Sequence, residues 1–158
     1  VGQHRCRRGR GVEPGFDAAV GHGDGADLGK FPGVMAGIVA DGAALGFMRD
    51  ADIYSLFGNA LDNAIEAARK LEAPSLRSIS LVVRQAAGVA SIHVENRYAS
   101  EPLIGQDGSI VSSKGDEANH GFGLRSMRLT VESYGGTLAT LLDRRGRIFH
   151  INAMIPLP

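Results

Sequence analysis

The chain is poor in cysteine, lacks tryptophan and carries no excess of either charge. Its single cysteine, Cys6, rules out an intrachain disulfide and argues against a cysteine-based metal site. Lysine plus arginine and aspartate plus glutamate number 17 each, so no net field draws the chain to nucleic acid or to a membrane. No apolar run approaches the roughly 20 residues that span a bilayer, and no signal-peptide pattern opens the sequence. We therefore expect a cytoplasmic protein with no nucleic-acid partner and no membrane contact from this segment itself.

The sequence divides into two unlike parts. Residues 1–39 are rich in glycine, arginine and histidine and lack a sustained helical or strand period, which predicts an atypical and disordered N-terminal segment. A nucleic-acid patch formed by its arginine cluster is the less favoured alternative. A third interpretation is translation out of frame, because some codons for Gly2–Arg10, read one base later, permit a Gly-Asn opening followed by an apolar-Asp-apolar pattern. Residues 40–158 show a clear pattern in every segment and form the second predicted domain.

The second part reads in the order helix, strand, strand, long loop, helix, strand, strand. Apolar residues between Ile53 and Ile65 recur with the spacing of one helical face, and the acids at 50 and 52 are candidate caps ahead of that helix. A second helix is predicted from Gly121 to the glycine pair at 135–136. Alternating apolar residues mark strands near 79–83, 89–94, 137–142 and 148–155. This order predicts an α+β fold with helices packed on one face of a mixed, mostly antiparallel sheet.

Two asparagines on the first helix form a candidate metal site. Asn59 and Asn63 stand four residues apart at the rim of the apolar face, with Asp62 and Glu66 beside them. Oxygen ligands of this kind suit Mg²⁺, which binds few protein groups and keeps waters and phosphates. The alternative is an ordinary amphipathic helix with a polar flank, which asparagine, a mediocre helix former, slightly disfavours.

A glycine-rich segment opens the second helix and is a candidate phosphate site. Gly121 and Gly123 let backbone N–H groups approach a ligand, and the helix N-terminus adds partial positive charge. Lys114 lies just upstream and offers a further donor. The alternative is a helix that simply follows a flexible loop, since a lone Gly-x-Gly is a weak signal.

Together the two segments resemble the GHKL (Bergerat-fold) ATPase superfamily. The run Leu56–Ala67 is similar to its N box, Asn119–Met127 is similar to its G2 box, and the Tyr134-Gly135-Gly136 triplet is also typical. The most similar subgroup is the catalytic domain of sensor histidine kinases of the peptide-sensing quorum type. This resemblance covers residues 41–158 and implies a Bergerat-type α/β sandwich that binds ATP with Mg²⁺.

Carried over residue by residue, the resemblance implies a set of nucleotide contacts. Asn63 would hold Mg²⁺ against the ATP phosphates. Asn59 stands where hydrolytic members such as gyrase have a catalytic glutamate, and because an amide cannot act as a general base, no catalytic residue is assigned. Residues 100–119 would form the ATP lid. The implied ATP-binding set is Asn59, Asn63, Asn96, Lys114, His120, Gly121, Gly123 and Leu124.

The chain departs from the family pattern at the adenine site. Asn96 stands where the family has an aspartate that accepts from the adenine amino group, and the glycines of that box are absent. An amide oxygen still accepts this hydrogen bond, but without charge assistance, which costs about 1 kcal/mol. The peptide-sensing subgroup commonly shows the same loss.

A phosphoacceptor histidine on a dimerising helix is also missing. The resemblance therefore implies two partners: a separate dimerisation domain that carries the acceptor histidine, and a response regulator that receives the phosphoryl group. The chain would then act in the cytoplasm, alone or as the cytoplasmic part of a membrane-anchored kinase. Two alternatives remain open, which are a degenerate GHKL interaction module with little catalysis and an anti-sigma-type serine kinase.

Overall fold

In the described part of the chain, a six-stranded sheet carries two α-helices on one face. The computed structural model describes residues 26–27, 33–104, 110–111 and 122–158. The sheet order is β1-β2-β3-β4-β8-β7, and β2 and β3 pair in parallel while the other neighbours are antiparallel. The predicted α+β class is therefore confirmed. The strands are β1 (Ala26–Asp27), β2 (Met35–Ala40), β3 (Ser78–Ala86), β4 (Val89–Arg97), β5 (Leu103–Ile104), β6 (Ile110–Val111), β7 (Thr137–Asp143) and β8 (Ile148–Pro156), and the helices are α1 (Asp50–Arg69) and α2 (Phe122–Ser133).

Strand β2 was not expected from the sequence, and it lies across the proposed boundary at residue 39. Residues 34–40 are apolar or glycine throughout, so they show neither a helical nor an alternating period. Such uninterrupted runs are typical of parallel strands. Ile38 pairs with Leu81 yet stays 51% exposed, so the described helices do not cover the strand at this position. The division into residues 1–39 and 40–158 stays a prediction.

Helix α1 begins earlier than predicted, and its acids do not cap it. The residue before its first turn is Arg49, which makes no side-chain capping bond. Asp50 and Asp52 instead lie inside the first turn, where a carboxylate faces the positive end of the helix dipole. The physical reason is that Asp52 is engaged elsewhere, by the side chains of Arg49 and Tyr134.

The turns fall where glycine and aspartate predict them. Ala87 and Gly88 both have positive φ between β3 and β4, as a two-residue hairpin turn requires. The Asp143 carboxylate accepts from the backbone N–H groups of Arg145 and Gly146 and fixes the turn between β7 and β8. The polar stretch predicted as a loop contains β5 and β6, which pair with each other in a separate two-stranded sheet.

The two helices run antiparallel on the same face of the sheet. Tyr134, just past the end of α2, contacts Asp52 near the start of α1, whereas Gly123 at the start of α2 lies against the middle of α1. Between them and the sheet is one apolar core. The core includes Leu56, Ala60, Ala64, Leu81, Val94, Met127, Val131, Ile151 and Ile155.

Within the described part of the chain, no helix has the length and hydropathy to cross a membrane.

Candidate functional site

The asparagine pair of α1 and the glycine that opens α2 meet in space. A Cβ atom built on Gly123 would lie 3.2 Å from Asn59 Oδ1 and 3.5 Å from Asn63 Nδ2. No larger residue would fit here without displacing an amide. The first turn of α2, whose N–H groups have no partner within the helix, therefore stands directly beside two side-chain amides. The two motifs that the sequence separates by about 60 residues form one surface.

Asn59 is held in a fixed orientation by its own helix. Its Nδ2 atom donates to the Ser55 carbonyl oxygen one turn earlier, at 2.7 Å. A carbonyl partner requires the NH₂ end of the amide, so the Oδ1 atom is the end directed toward Gly123. This bond fixes an acceptor oxygen at the N-terminus of α2. As an amide it can bind or position a group there, but it cannot remove a proton from water.

Asn63 lies one turn further along α1 and is half-buried. Its Oδ1 atom would be 3.7 Å from a Cβ atom on Gly123. Its amide oxygen could serve as one neutral ligand to Mg²⁺. The other coordination positions of the ion would then go to waters and phosphate oxygens. Asp62, by contrast, is exposed, so the carboxylate next in sequence does not share this environment.

Asn96 is buried on the helix-covered face of the sheet. It is 3% exposed, and its Nδ2 atom donates to the Arg97 carbonyl oxygen at 3.0 Å. That bond uses one donor of the amide and leaves Oδ1 as an acceptor. An amide oxygen of this kind can accept a hydrogen bond from an adenine amino group.

Topology brings Asn96 to the same end of the domain as the Asn59–Gly123 contact. Asn96 pairs with Ile79 near the start of β3, and the Arg77 side chain just before that strand binds the Leu71 carbonyl just past α1. The C-terminal half of α1 therefore lies at this end. Helix α2 finishes at the other end, beside the close of β8, so its first turn also lies toward Asn96.

Leu124 is half-buried and packs against the apolar core, so it supports α2 as well as bordering the site. Three further predicted contacts, Lys114, His120 and Gly121, lie outside the described residues, and so does most of the proposed lid. Their roles, and the ligand roles of the described residues, stay predictions.

A hydrogen-bond cluster at the far ends of the helices was missed by sequence reasoning. The Arg49 side chain donates to Asp52 at 2.7 Å, and the Tyr134 hydroxyl donates to the same carboxylate at 2.5 Å while accepting from the Arg49 backbone N–H. The Arg49 guanidinium and then the Tyr134 hydroxyl hold the pKa of Asp52 below its ordinary value. The cluster clamps the start of α1 to the end of α2. The only sequence signal was the position of Tyr134 before the glycine pair.

A family model described as a GHKL domain matches residues 48–156. No curated protein matches. Among solved structures, the Acinetobacter baumannii histidine kinase AdeS is similar at 15% identity and a TM-score of 0.46, covering 68% of this chain and 46% of that chain. The histidine kinase domain of the Erythrobacter litoralis EL346 blue-light activated kinase has 26% identity and a TM-score of 0.42, covering 67% and 46%.

The chain thus spans about half the length of these two solved kinases. The match to the GHKL family model extends from the residue before Arg49 to the last residue of β8 and so includes both helices of the site. This chain therefore belongs to the GHKL domain family.

Proposed function

We propose that this chain is the ATP-binding catalytic domain of a sensor histidine kinase of the peptide-sensing type. It would bind ATP with Mg²⁺ and transfer the γ-phosphoryl group to a histidine on a separate dimerisation domain, from which a response regulator receives it. The observation that carries the proposal is the contact of Gly123 with the Asn59 and Asn63 amides. The chain would act in the cytoplasm, as part of a longer two-component signalling protein.

Each site residue that the structure describes would have a distinct role in ATP binding. Asn63 would supply a neutral oxygen to Mg²⁺, which neutralises phosphate charge when bound. The N–H groups of the first turn of α2, at Gly123 and Leu124, would bind phosphate oxygens, and Asn96 Oδ1 would accept from adenine. Binding energy and positioning then account for transfer, because phosphoryl transfer needs little covalent help from the protein.

The amide of Asn59, at the position where hydrolytic members of the superfamily have a catalytic glutamate, favours transfer over hydrolysis. Asn59 Oδ1 is directed at the first turn of α2 by the bond from its Nδ2 to Ser55. An amide at this position can orient a group but cannot activate water. We therefore expect slow ATP turnover by the chain alone and phosphorylation only of a supplied acceptor.

Nucleotide titration followed by phosphotransfer tests the proposal. ATP binding that strengthens with Mg²⁺, then acid-labile label on a supplied histidine dimerisation domain after incubation with γ-labelled ATP, is the expected result. Acid-stable label on a serine-bearing acceptor would instead support an anti-sigma-type kinase. A folded chain that binds no ATP at millimolar concentration would establish the degenerate interaction module and overturn the kinase proposal.

A further inference from the structure

Three potential metal ligands lie together on the face of the sheet opposite the helices. Along β4 the residues Ile92, Val94 and Asn96 are buried toward the helices, so His93 and Glu95 face the other way. Glu95 is paired directly with His150 on β8. The register of these two antiparallel strands therefore places two imidazoles around one carboxylate, on the opposite face of the sheet from Asn96.

The distances within this cluster suit a bound metal ion. Glu95 Oε2 lies 3.3 Å from His93 Nε2 and 3.5 Å from His150 Nδ1. Two ligand atoms of a tetrahedral Zn²⁺ ion are about 3.3 Å apart, given metal–ligand bonds of about 2.0–2.1 Å. All three donor atoms lie within 4.8 Å of one another, so metal binding would draw the two imidazole nitrogens closer together.

A neighbouring amide orients one imidazole as a metal ligand. His93 Nδ1 is 2.6 Å from Asn152 Oδ1. With Nδ1 donating to this amide oxygen, Nε2 is the ring nitrogen that would bind a metal ion shared with Glu95. Metal-bound histidines commonly have such a partner on the second ring nitrogen, which fixes both tautomer and ring orientation.

We propose that His93, Glu95 and His150 bind a divalent transition-metal ion, with Zn²⁺ best matched to the two imidazoles and one carboxylate. Their side chains are 24%, 37% and 18% exposed, so the ligands are held by the sheet while the fourth position faces solvent. Among the described residues no other group of three such ligands occurs. The ion would link the side chains of β4 and β8 on the sheet face opposite the residues of the proposed ATP site.

Zinc titration by calorimetry on tag-free protein, in a Cys6→Ser background that removes the single thiol, tests this site. We expect one equivalent of Zn²⁺ and at least about tenfold weaker binding in H93A, H150A and E95Q. N152A should weaken binding by about tenfold through loss of orientation. The matched control removes two other histidines, H4A/H22A, and should bind Zn²⁺ as the parent does.

Co²⁺ supplies a second measurement that does not depend on stability. Its bound form should show the intense visible absorption of four-coordinate cobalt, and H150A should lose it while unfolding at the parent's temperature in EDTA. Absence of Zn²⁺ binding in the parent, or equal affinity in the parent and H150A, would overturn the proposal. Either result leaves the kinase proposal intact, because neither measurement involves ATP.

Discussion

Gly123 opens α2 directly against the amide of Asn59, with 3.2 Å between Asn59 Oδ1 and the position of a Cβ atom on the glycine. Contacts this short leave no space for a methyl group unless the amide moves. The glycine is thus required by the approach of two helices, and the same approach places the first-turn N–H groups of α2 beside the asparagine pair.

Gly123→Ala should weaken ATP binding by roughly tenfold, about 1.4 kcal/mol. The methyl group would displace the Asn59 amide and narrow the approach to the helix N-terminus. Gly58→Ala is the matched control, because nothing lies within 4 Å of a Cβ atom there. It should leave ATP binding unchanged and raise the free energy of unfolding by roughly 0.5–1 kcal/mol, since glycine is unfavourable inside a helix. Unaltered ATP affinity in Gly123→Ala would count against the site.

Gly136→Ala should destabilise the domain by about 3 kcal/mol. A Cβ atom at Gly136 would lie 2.6 Å from the Met154 carbonyl oxygen and 2.9 Å from Val131 Cγ1. Backbone must therefore move at the end of α2. Gly37→Ala, where nothing lies within 4 Å, is the control, and chemical denaturation should show little loss for it. Equal stability of the two variants would show that the turn after α2 is more plastic than its geometry implies.

Because of the Asp52 cluster, the free energy of unfolding should change with pH in the acid range. Its pKa is lowered from an ordinary value of 3.8, by Arg49 first and Tyr134 second. A lowered folded-state pKa means that the carboxylate stabilises the fold above pH 3.8, and that this contribution is lost as pH falls through the folded value. Tyr134→Phe removes one of the two causes. Its unfolding free energy should be lower at neutral pH and should fall less steeply below about pH 4.

Unfolding of both proteins from pH 7 to pH 2 measures this difference. Asp52→Asn removes the titrating carboxyl group. The pH dependence of its unfolding free energy should therefore lack the contribution of this group, which makes it the limiting case. Parallel stability curves for the wild-type chain and Tyr134→Phe would contradict the role given to the hydroxyl.

Asn96→Asp restores the residue that the family usually has, yet it should destabilise the free domain by roughly 1–3 kcal/mol. The present amide donates to the Arg97 carbonyl from a site that is 3% exposed. A buried carboxylate at position 96 would have no hydrogen to donate to the Arg97 carbonyl oxygen. The loss should shrink at acid pH, where the protonated carboxyl donates instead. A variant as stable as wild type at pH 7 would show that the Arg97 bond contributes little.

The helices and the central hairpins could be predicted because their signals are local. The apolar spacing of α1 and the alternation along β4 and β8 each reside within one segment. Strand β2 escaped prediction because its run of apolar residues and glycine has no period, and its parallel partner lies about 40 residues away.

Neither the His93–Glu95–His150 cluster nor the Gly123–Asn59 contact could be predicted from local sequence patterns, because both depend on tertiary structure. Alternation places His93 and Glu95 on one face of β4, but the pairing of Glu95 with His150 depends on a register set across more than 50 residues. The contact of Gly123 with Asn59 likewise depends on how two helices cross. It was anticipated through a family resemblance, since neither motif alone specifies the other.

The Mg²⁺ dependence of ATP affinity in Asn63→Ala tests the central claim most directly. Calorimetry with and without Mg²⁺ should show that the metal strengthens ATP binding to the wild-type chain, and that this enhancement is lost in Asn63→Ala, a change of at least about tenfold. Asn152→Ala, an asparagine on the opposite face of the sheet, should keep the full enhancement. An Asn63→Ala protein that retains the wild-type Mg²⁺ enhancement would contradict the assignment of the nucleotide site.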